Sequence, residues 1–343
     1  MIPTERSTSA FNRLVLASPH RLAMPIATYP GLALTGARVR DIVTNAQAQL
    51  EAQAALHDRY NTPFVMSAMD LSAEAECFGC AIQMSDSEVP TVVGRRVSCM
   101  EQARELAVPA VGDKRTCVYL ETVRRLRRLA SRAMVLGGCI GPFSLAARLA
   151  GVSEAMELTV TEPALMHVLL EKSAGFLTAY AQAYHEAGAD GLIMAEPAAG
   201  LLSPRALATF SSAYIRSIGE AVSHDKFALI LHNCAAKLLH LPAILETGLR
   251  SFHFGAPMDL PAALDKVGPE VVLCGNLDPA GVFCQLPPTE LTARVAALLQ
   301  AASAHRNFVI SSGCDVPPNA PLASLDAFYK AVGDESGGHL PVR

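Results

Sequence analysis

Apolar runs of strand length alternate with amphipathic helical patterns along most of the chain after about residue 60. Gly and Pro mark the junctions, as at Pro142, Gly188 and Pro279. Continuous apolar strands that alternate with helices are typical of a parallel sheet whose faces are covered by helices. The predicted strands lie at residues 63–70, 133–139, 191–197, 227–233, 251–255, 271–276 and 308–314.

The number of these units indicates a closed barrel. Seven strand–helix units are visible, and an eighth strand fits either residues 21–29 or residues 89–94. Seven or eight such units favour a (β/α)8 TIM barrel of the α/β class over an open sheet. We expect a single domain over residues 1–343, in which residues 1–60 form a helical extension that caps the barrel and residues 61–333 form the barrel.

The amino-acid composition limits the classes of partner and the cellular compartment that this chain is expected to have. Of the 343 residues, 51% are hydrophobic and 17% are charged, the net charge is −4, and no Lys or Arg cluster is suited to phosphates, which argues against nucleic acid. No apolar stretch is long enough to span a membrane, and the N-terminus lacks the features of a signal peptide. Nine cysteines, an odd number, favour metal binding or buried thiols over disulfides. We expect a cytoplasmic monomer or homodimer.

Polar and thiol side chains stand at or just past the ends of the predicted strands. In a TIM barrel the active site lies at the C-terminal ends of the strands, so these side chains are expected to converge on one mouth. They are Asp70, Cys139, Glu196, His232, Cys234, Asn276, Asp278 and Cys314.

Three of them form a candidate metal site. His232 and Cys234 are two residues apart, so both can face the barrel mouth from one strand end, and Cys314 arrives from a later strand end. A Cys₂His set is among the known catalytic zinc arrangements and leaves one coordination position open. The alternative is that these cysteines are ordinary buried residues, because Cys is among the most buried residue types.

The motifs around these residues resemble those of the uroporphyrinogen decarboxylase superfamily. The resemblance is stronger to its methylcobamide:coenzyme M methyltransferase branch, which carries an H-x-C…C zinc signature, and it covers nearly the whole chain. True uroporphyrinogen decarboxylases lack zinc and carry an Arg-rich N-terminal stretch, whereas residues 23–31 here contain no Arg. The motifs are LILHNC, GNLDPAGVF, SSGCDVPPNAPLASLDAFYKAV and GGCIGPFSLAARLAG.

The resemblance implies a zinc-dependent transfer of a methyl group from a methylated corrinoid to a thiol. It implies Zn²⁺ on His232, Cys234 and Cys314, and a corrinoid supplied by a separate protein that docks over the barrel, because the chain lacks a D-x-H-x-x-G corrinoid motif. The acceptor stays open between a coenzyme M-like thiol and another acceptor such as tetrahydrofolate. Water or Glu196 could fill the fourth zinc position, although Glu196 could instead cap a helix.

Asp70 supports a competing hypothesis. It stands where the decarboxylases of this superfamily keep a substrate-binding aspartate, which would suit a decarboxylase-like lyase. It could instead cap the helix after the first strand. If its carboxylate points into the barrel mouth, it would repel a sulfonate, and we then expect coenzyme M to be a poor acceptor. Asn276 and Asp278 are predicted to shape a loop that contacts the cofactor or substrate. A third alternative is a corrinoid-binding or regulatory protein without catalysis.

Overall fold

The computed structural model describes residues 8–130 and 132–335. Seven strands form one fully parallel sheet in the order β1-β4-β5-β6-β7-β8-β9, and β2 pairs with β3 in a separate antiparallel hairpin. Each of the seven predicted apolar runs contains one strand of the parallel sheet. The strands are β1 Phe64–Met66, β2 Ala81–Gln83, β3 Thr91–Val93, β4 Met134–Ile140, β5 Gly191–Ala195, β6 Ala228–Asn233, β7 Ser251–Phe254, β8 Val272–Leu277 and β9 Phe308–Ser312.

Residues 22–28 occupy the eighth position of the barrel wall. The segment runs parallel to β9 and is joined to it by a bridge at Ile310. The gap to β1 is crossed by the buried side chain of Gln53, whose Nε2 donates to Ala27 O at 2.9 Å and whose Oε1 accepts from Met66 N at 3.2 Å. Of the two segments predicted as an eighth strand, residues 21–29 therefore contribute to the barrel wall, whereas residues 89–94 contain β3 of the hairpin.

Helices precede the barrel and follow its strands, as predicted. The helices before the first strand are α1 Ala10–Ala17, α2 Leu32–Thr35, α3 Val39–Thr44 and α4 Ala46–Tyr60. The later helices are α5 Ala73–Cys77, α6 Met100–Glu105, α7 Thr116–Leu129, α8 Pro142–Ala150, α9 Val152–Thr161, α10 Pro163–Glu186, α11 Pro204–Leu207, α12 Ala213–Val222, α13 Leu241–Leu245, α14 Leu260–Leu264, α15 Pro288–Ala301 and α16 Leu322–Glu335.

Helix α1 closes the N-terminal end of the barrel. Phe11 and Val15 are buried with the inward-facing side chains of the strands, and full burial of such a side chain contributes about 1.5–3 kcal/mol. Asn12 Nδ2 donates to Arg250 O at 2.8 Å, and Asn12 Oδ1 accepts from Ser251 Oγ at 2.7 Å, which ties α1 to the start of β7. The opposite end, where the strands finish, is left for a site.

The interior supports a closed barrel. One buried cluster contains side chains from six of the seven strands of the sheet, all but β7, and from residues 22–28, so the segment packs as part of the wall. The predicted TIM barrel with helices before its first strand is confirmed, while the domain division at residue 60 stays a prediction. Within residues 8–130 and 132–335, no helix combines the length and the apolarity that a membrane crossing requires.

Candidate metal centre

His232, Cys234 and Cys314 come together as predicted from the sequence. His232 lies in β6, Cys234 follows the end of β6, and Cys314 follows the end of β9. One ligand atom from each residue lies within 4.8 Å of the other two. Strands β7 and β8 separate β6 from β9 in the sheet, so the curvature of the barrel is what brings the three residues together. Within the described part of the chain, this is the group of His, Cys or acidic residues that is arranged to hold a metal ion.

The donor atoms of this group fit a zinc ion. His232 is buried, and its Nε2 has no hydrogen-bond partner. Its Nδ1 faces β7, at 3.3 Å from His253 O and 2.8 Å from His253 Nδ1. A buried polar atom without a partner is costly, and a metal ion would satisfy it. One imidazole and two sulfurs are ligands that zinc accepts.

The side chains of Cys234 and Cys314 shift each other's pKa in opposite directions. A hydrogen bond between the Cys234 and Cys314 side chains lowers the pKa of the Cys234 thiol, with burial acting in the opposite direction. The same hydrogen bond, together with burial, raises the pKa of Cys314 to about 12. A thiolate is the form that binds metals, so the pair is prepared to present Cys234 as the first sulfur ligand.

Asp70 is buried and fully engaged by neighbouring side chains. Its Oδ2 pairs with Arg115 and accepts from Tyr119 Oη at 2.9 Å. Its Oδ1 accepts from Ser72 Oγ at 2.6 Å and from Ser72 N at 3.0 Å, just before α5. The expectation that the Asp70 carboxylate points into the barrel mouth and repels a sulfonate is therefore wrong, because the carboxylate is buried and Arg115 compensates its charge. The N-cap of α5 is Ser72 and not Asp70, the residue that the sequence allowed, but the hydrogen bond from Ser72 N to Asp70 stabilises the turn that leads into the helix.

Arg115 is the residue that sequence reasoning missed. It precedes α7, its Nε donates to Glu76 Oε2 at 2.6 Å, and its Nη2 donates to Ser72 Oγ at 2.9 Å. Arg115 comes from the start of a helix and not from a strand end, where the site residues of a barrel are expected. An arginine immediately before an amphipathic helix carries no signal in the sequence that would indicate a buried role.

Glu196 caps a helix in this structure. It follows β5 and is fully buried, with Oε1 accepting from Phe143 N at 2.8 Å and Oε2 from Ser144 N at 3.1 Å and Ser144 Oγ at 2.9 Å. A Cβ at Gly141 would overlap the Glu196 side chain, so glycine is needed where the carboxylate meets α8. Burial raises the pKa of Glu196 to about 7, and these hydrogen bonds oppose the rise. Its role as a displaceable zinc ligand stays a prediction.

A second buried carboxyl group, Glu74, lies in α5. Its Oε1 accepts from Ile140 N at 3.1 Å at the end of β4, and its Oε2 is buried without a partner. Burial raises the pKa of Glu74 to about 8. Glu74 is therefore mainly protonated at neutral pH and can donate a hydrogen bond.

Asn276 and Asp278 organise the loops around the end of β8. Asn276 Nδ2 donates to Met258 O at 2.7 Å and to Gly255 O at 3.1 Å, which fastens the β7 loop. Asp278 is exposed, and its Oδ1 accepts from the backbone N–H groups of residues 280 and 281 at 3.0 Å each. The predicted loop-shaping role agrees with these contacts, and contact with a cofactor stays a prediction.

The sequence profile of the uroporphyrinogen decarboxylase (URO-D) family matches residues 19–334. A methylcobamide:CoM methyltransferase of Methanosarcina acetivorans is 27% identical over 295 residues, which cover 84% of this chain and 85% of that protein. A uroporphyrinogen decarboxylase of Ectopseudomonas mendocina is 28% identical over 245 residues, 68% of each chain. The resemblance seen in the sequence motifs is thus confirmed.

Solved structures agree on the fold. A methyltransferase from Methanosarcina mazei superposes with a TM-score of 0.86 at 21% identity and covers 96% of this chain and 99% of its own. A B12-independent methionine synthase from a Shewanella species gives a TM-score of 0.56 at 14% identity over 92% of this chain and 94% of its own. At these identities the likeness bears on the fold alone.

Proposed function

This chain belongs to the uroporphyrinogen decarboxylase family, and we propose that it acts within that family as a zinc-dependent corrinoid methyltransferase. The methyl donor is a methylated corrinoid carried by a partner protein. The acceptor is a thiol of the coenzyme M type, or another acceptor such as tetrahydrofolate. The observation that carries the proposal is the group of His232, Cys234 and Cys314, in which the imidazole Nε2 is buried without a partner beside two sulfurs. Relatives that share most of the chain include methylcobamide:CoM methyltransferases.

The three side chains would hold the zinc ion through His232 Nε2 and the sulfurs of Cys234 and Cys314. Bound there, zinc would act as a Lewis acid that keeps an acceptor thiol deprotonated near neutral pH. Three protein ligands leave one position for the acceptor. The barrel strands hold the ligands on rigid elements, which limits the motion of the acceptor relative to the methyl donor.

The decarboxylase-like alternative loses the residue on which it depended. Asp70 would have to offer a carboxylate to the substrate, but both of its oxygens are used by Arg115, Tyr119 and Ser72. Residues 23–31 also lack the arginines that a carboxylate-rich tetrapyrrole would need. The alternative of a corrinoid-binding or regulatory protein without catalysis does not account for the pair of sulfurs at the strand ends. A cytoplasmic location suits the proposal, since all nine cysteines are unpaired.

Metal analysis and methylcobalamin turnover test the proposal together. We expect about one zinc per chain in the purified protein and a steep loss in Cys314→Ala, while Cys284→Ala, which changes a half-buried cysteine outside the group, keeps its zinc. The Cys314 variant should stay folded, because a catalytic site on a large barrel is not its main source of stability. The methylcobalamin spectrum should change only when zinc and an acceptor are both present.

Two results would contradict the proposal. One is zinc at full stoichiometry in the triple variant His232→Ala, Cys234→Ala, Cys314→Ala, because the zinc would then be held by residues outside this group. The other is conversion of uroporphyrinogen to coproporphyrinogen at a useful rate by the purified protein. The panel of acceptors in the turnover assay should include a neutral thiol, coenzyme M and tetrahydrofolate, since the contacts leave the acceptor open.

A further inference from the structure

A line of hydrogen bonds runs behind the metal-binding face of His232. His253 Nδ1 lies 2.8 Å from His232 Nδ1, and His253 Nε2 lies 2.8 Å from Ser311 Oγ. Ser311 Oγ in turn donates to Met24 O at 2.6 Å. We call Ser311, His253 and His232 the imidazole relay. We propose that the relay fixes the proton of His232 on Nδ1 and so keeps Nε2 as a free lone pair for the metal.

The direction of each hydrogen bond follows from the backbone carbonyl at the end of the line. A carbonyl oxygen can only accept, so the single proton of the Ser311 hydroxyl goes to Met24 O. Ser311 Oγ must then accept from His253 Nε2, which carries the proton of that imidazole. The Nδ1 of His253 is left as an acceptor, and the proton between the two imidazoles belongs to His232 Nδ1.

A second contact points to the same assignment. His232 Nδ1 also lies 3.3 Å from the backbone oxygen of His253, which again can only accept. With Nδ1 as the donor, a neutral His232 has no proton on Nε2. Among the polar side-chain atoms of the three relay residues, Nε2 of His232 is the one that has no partner in the protein.

The strand register explains why the relay is rigid. His232 on β6 and His253 on β7 are paired residues in neighbouring parallel strands, and Ser311 lies on β9. All three residues are buried, His253 and Ser311 at 0% exposure. Buried polar groups are costly unless they are satisfied, and here each one satisfies the next. Outer contacts of this kind orient a metal-binding histidine and set its tautomer.

The relay makes His253 and Ser311 positioning residues for the proposed zinc site, and in that respect the inference rests on the proposed function. Without Ser311, the proton of His253 would be free to move to Nδ1 and donate to His232. His232 would then carry its proton on Nε2, where it blocks a metal ion. Removal of a hydroxyl that cannot reach the metal should therefore weaken metal binding.

The tautomer can be measured directly on the metal-free chain. In ¹⁵N-labelled protein, His232 Nε2 should show the chemical shift of an unprotonated imidazole nitrogen and Nδ1 that of a protonated one. A spectrum with the proton on Nε2 would overturn the relay. This measurement needs neither zinc nor methyl donor, so it stands apart from the test of methyl transfer.

A matched pair of serines provides the second test. Ser311 and Ser312 are neighbours on β9, both fully buried, and Ser312 Oγ accepts from Ile26 N at 3.0 Å without touching the relay. We expect Ser311→Ala to lower zinc affinity roughly tenfold or more, measured by competition with a chelator, and Ser312→Ala to leave it unchanged. Ser311→Thr, which keeps the hydroxyl, should restore affinity.

Thermal unfolding of the metal-free variants separates positioning from folding. Both alanine variants lose one buried hydrogen bond to residues 22–28, and Ser311→Ala also loses the bond to His253, so Ser311→Ala should be the less stable of the two. Equal zinc affinity in Ser311→Ala and Ser312→Ala would refute the relay and would leave the proposed methyl transfer intact. Loss of zinc in both variants in proportion to lost stability would also refute it.

Discussion

At the scale of single residues, the ion pair between Asp70 and Arg115 compensates a buried charge in the loop after β1. The Asp70 side chain is at 0% exposure and that of Arg115 at 9%, so neither charge is screened well by water. The pair is close to neutral as a unit. An anionic acceptor is therefore not excluded by Asp70, and coenzyme M stays among the candidates.

The two acidic partners of Arg115 allow a controlled test of this pair. We expect Asp70→Asn to lower the free energy of unfolding by about 3 kcal/mol or more, because it leaves the buried Arg115 charge without its main partner. Glu76→Gln removes the other partner, whose side chain is 26% exposed, and should cost about 1 kcal/mol or less. Chemical denaturation of both variants measures the difference, and equal losses would contradict a buried pair.

Glu74 should make stability depend on pH. Its pKa of about 8 in the folded chain exceeds the ordinary value of 4.5, so the folded state binds this proton more tightly than the unfolded state. The contribution is complete below about pH 4.5 and is lost as the pH rises towards about 8. Glu74→Gln keeps an acceptor for Ile140 N and removes the titration. We expect the free energy of unfolding of the variant, relative to that of the wild type, to increase by a few kcal/mol as the pH rises through this window.

Urea unfolding at several pH values measures this effect, with Glu154→Gln as the control. Glu154 is an exposed carboxylate with a side chain at 47% exposure, so its replacement should leave the pH profile unchanged. Glu196, whose pKa is about 7, also makes the free energy of unfolding fall as the pH rises. This contribution is the same in both proteins, so it cancels in their difference. Parallel profiles for Glu74→Gln and the wild type would show that Glu74 does not retain its proton.

At the scale of elements, the apolar runs located the seven strands of the sheet but not their lengths. The first run was predicted over residues 63–70, and β1 covers Phe64–Met66. The backbone N–H of Ala68 is bound by the Gln49 side chain at 2.9 Å, and side-chain partners of this kind leave no pattern in the sequence. The eighth wall position was ambiguous because Pro25 has no N–H to donate to a ladder, so residues 22–28 do not form a regular strand.

Glu196 joins two elements, and its two possible roles predict different results. Glu196→Ala leaves the N-terminus of α8 without its buried acceptors and should cost about 2 kcal/mol of stability. Because both oxygens are used by Phe143 and Ser144, we expect zinc content to be unchanged in a folded preparation. Metal analysis beside thermal unfolding distinguishes the roles. Loss of zinc with normal stability would instead make Glu196 the fourth ligand that the sequence allowed.

At the scale of the whole molecule, the sequence predicted the group that we propose as the metal site and missed buried residues that contact other side chains from distant elements. His232, Cys234 and Cys314 stand at strand ends, and the geometry of a barrel alone places strand ends together. Arg115 and Ser311 act through side chains that meet Asp70 and His253 from elements far away in the chain. Such pairings depend on side-chain directions, which periodicity does not record.

The face that carries the metal ligands also carries two exposed leucines. Leu201 follows β5 and is 64% exposed, and Leu239 follows β6 and is 57% exposed. His240 Nε2 lies 3.1 Å from Leu202 O, so the two short segments are fastened side by side. Under the proposed function, a corrinoid protein that delivers a methyl group would have to approach this face, and two exposed leucines at fixed positions would suit such a contact.

Charged substitutions on this face should therefore slow transfer from a protein donor and spare a free one. We expect Leu201→Asp with Leu239→Asp to raise the KM for the methylated corrinoid protein by more than about tenfold, since burying each exposed leucine contributes about 1.5–3 kcal/mol, and to leave turnover of free methylcobalamin unchanged. Leu129→Asp is the matched control, because Leu129 is 55% exposed at the end of α7, which precedes β4 and so lies at the opposite end of the barrel. If the double variant and the control use the protein donor equally well, the donor does not bind across the β5 and β6 loops. If the double variant also loses the turnover of free methylcobalamin, the leucines stabilise the site itself and do not bind a partner.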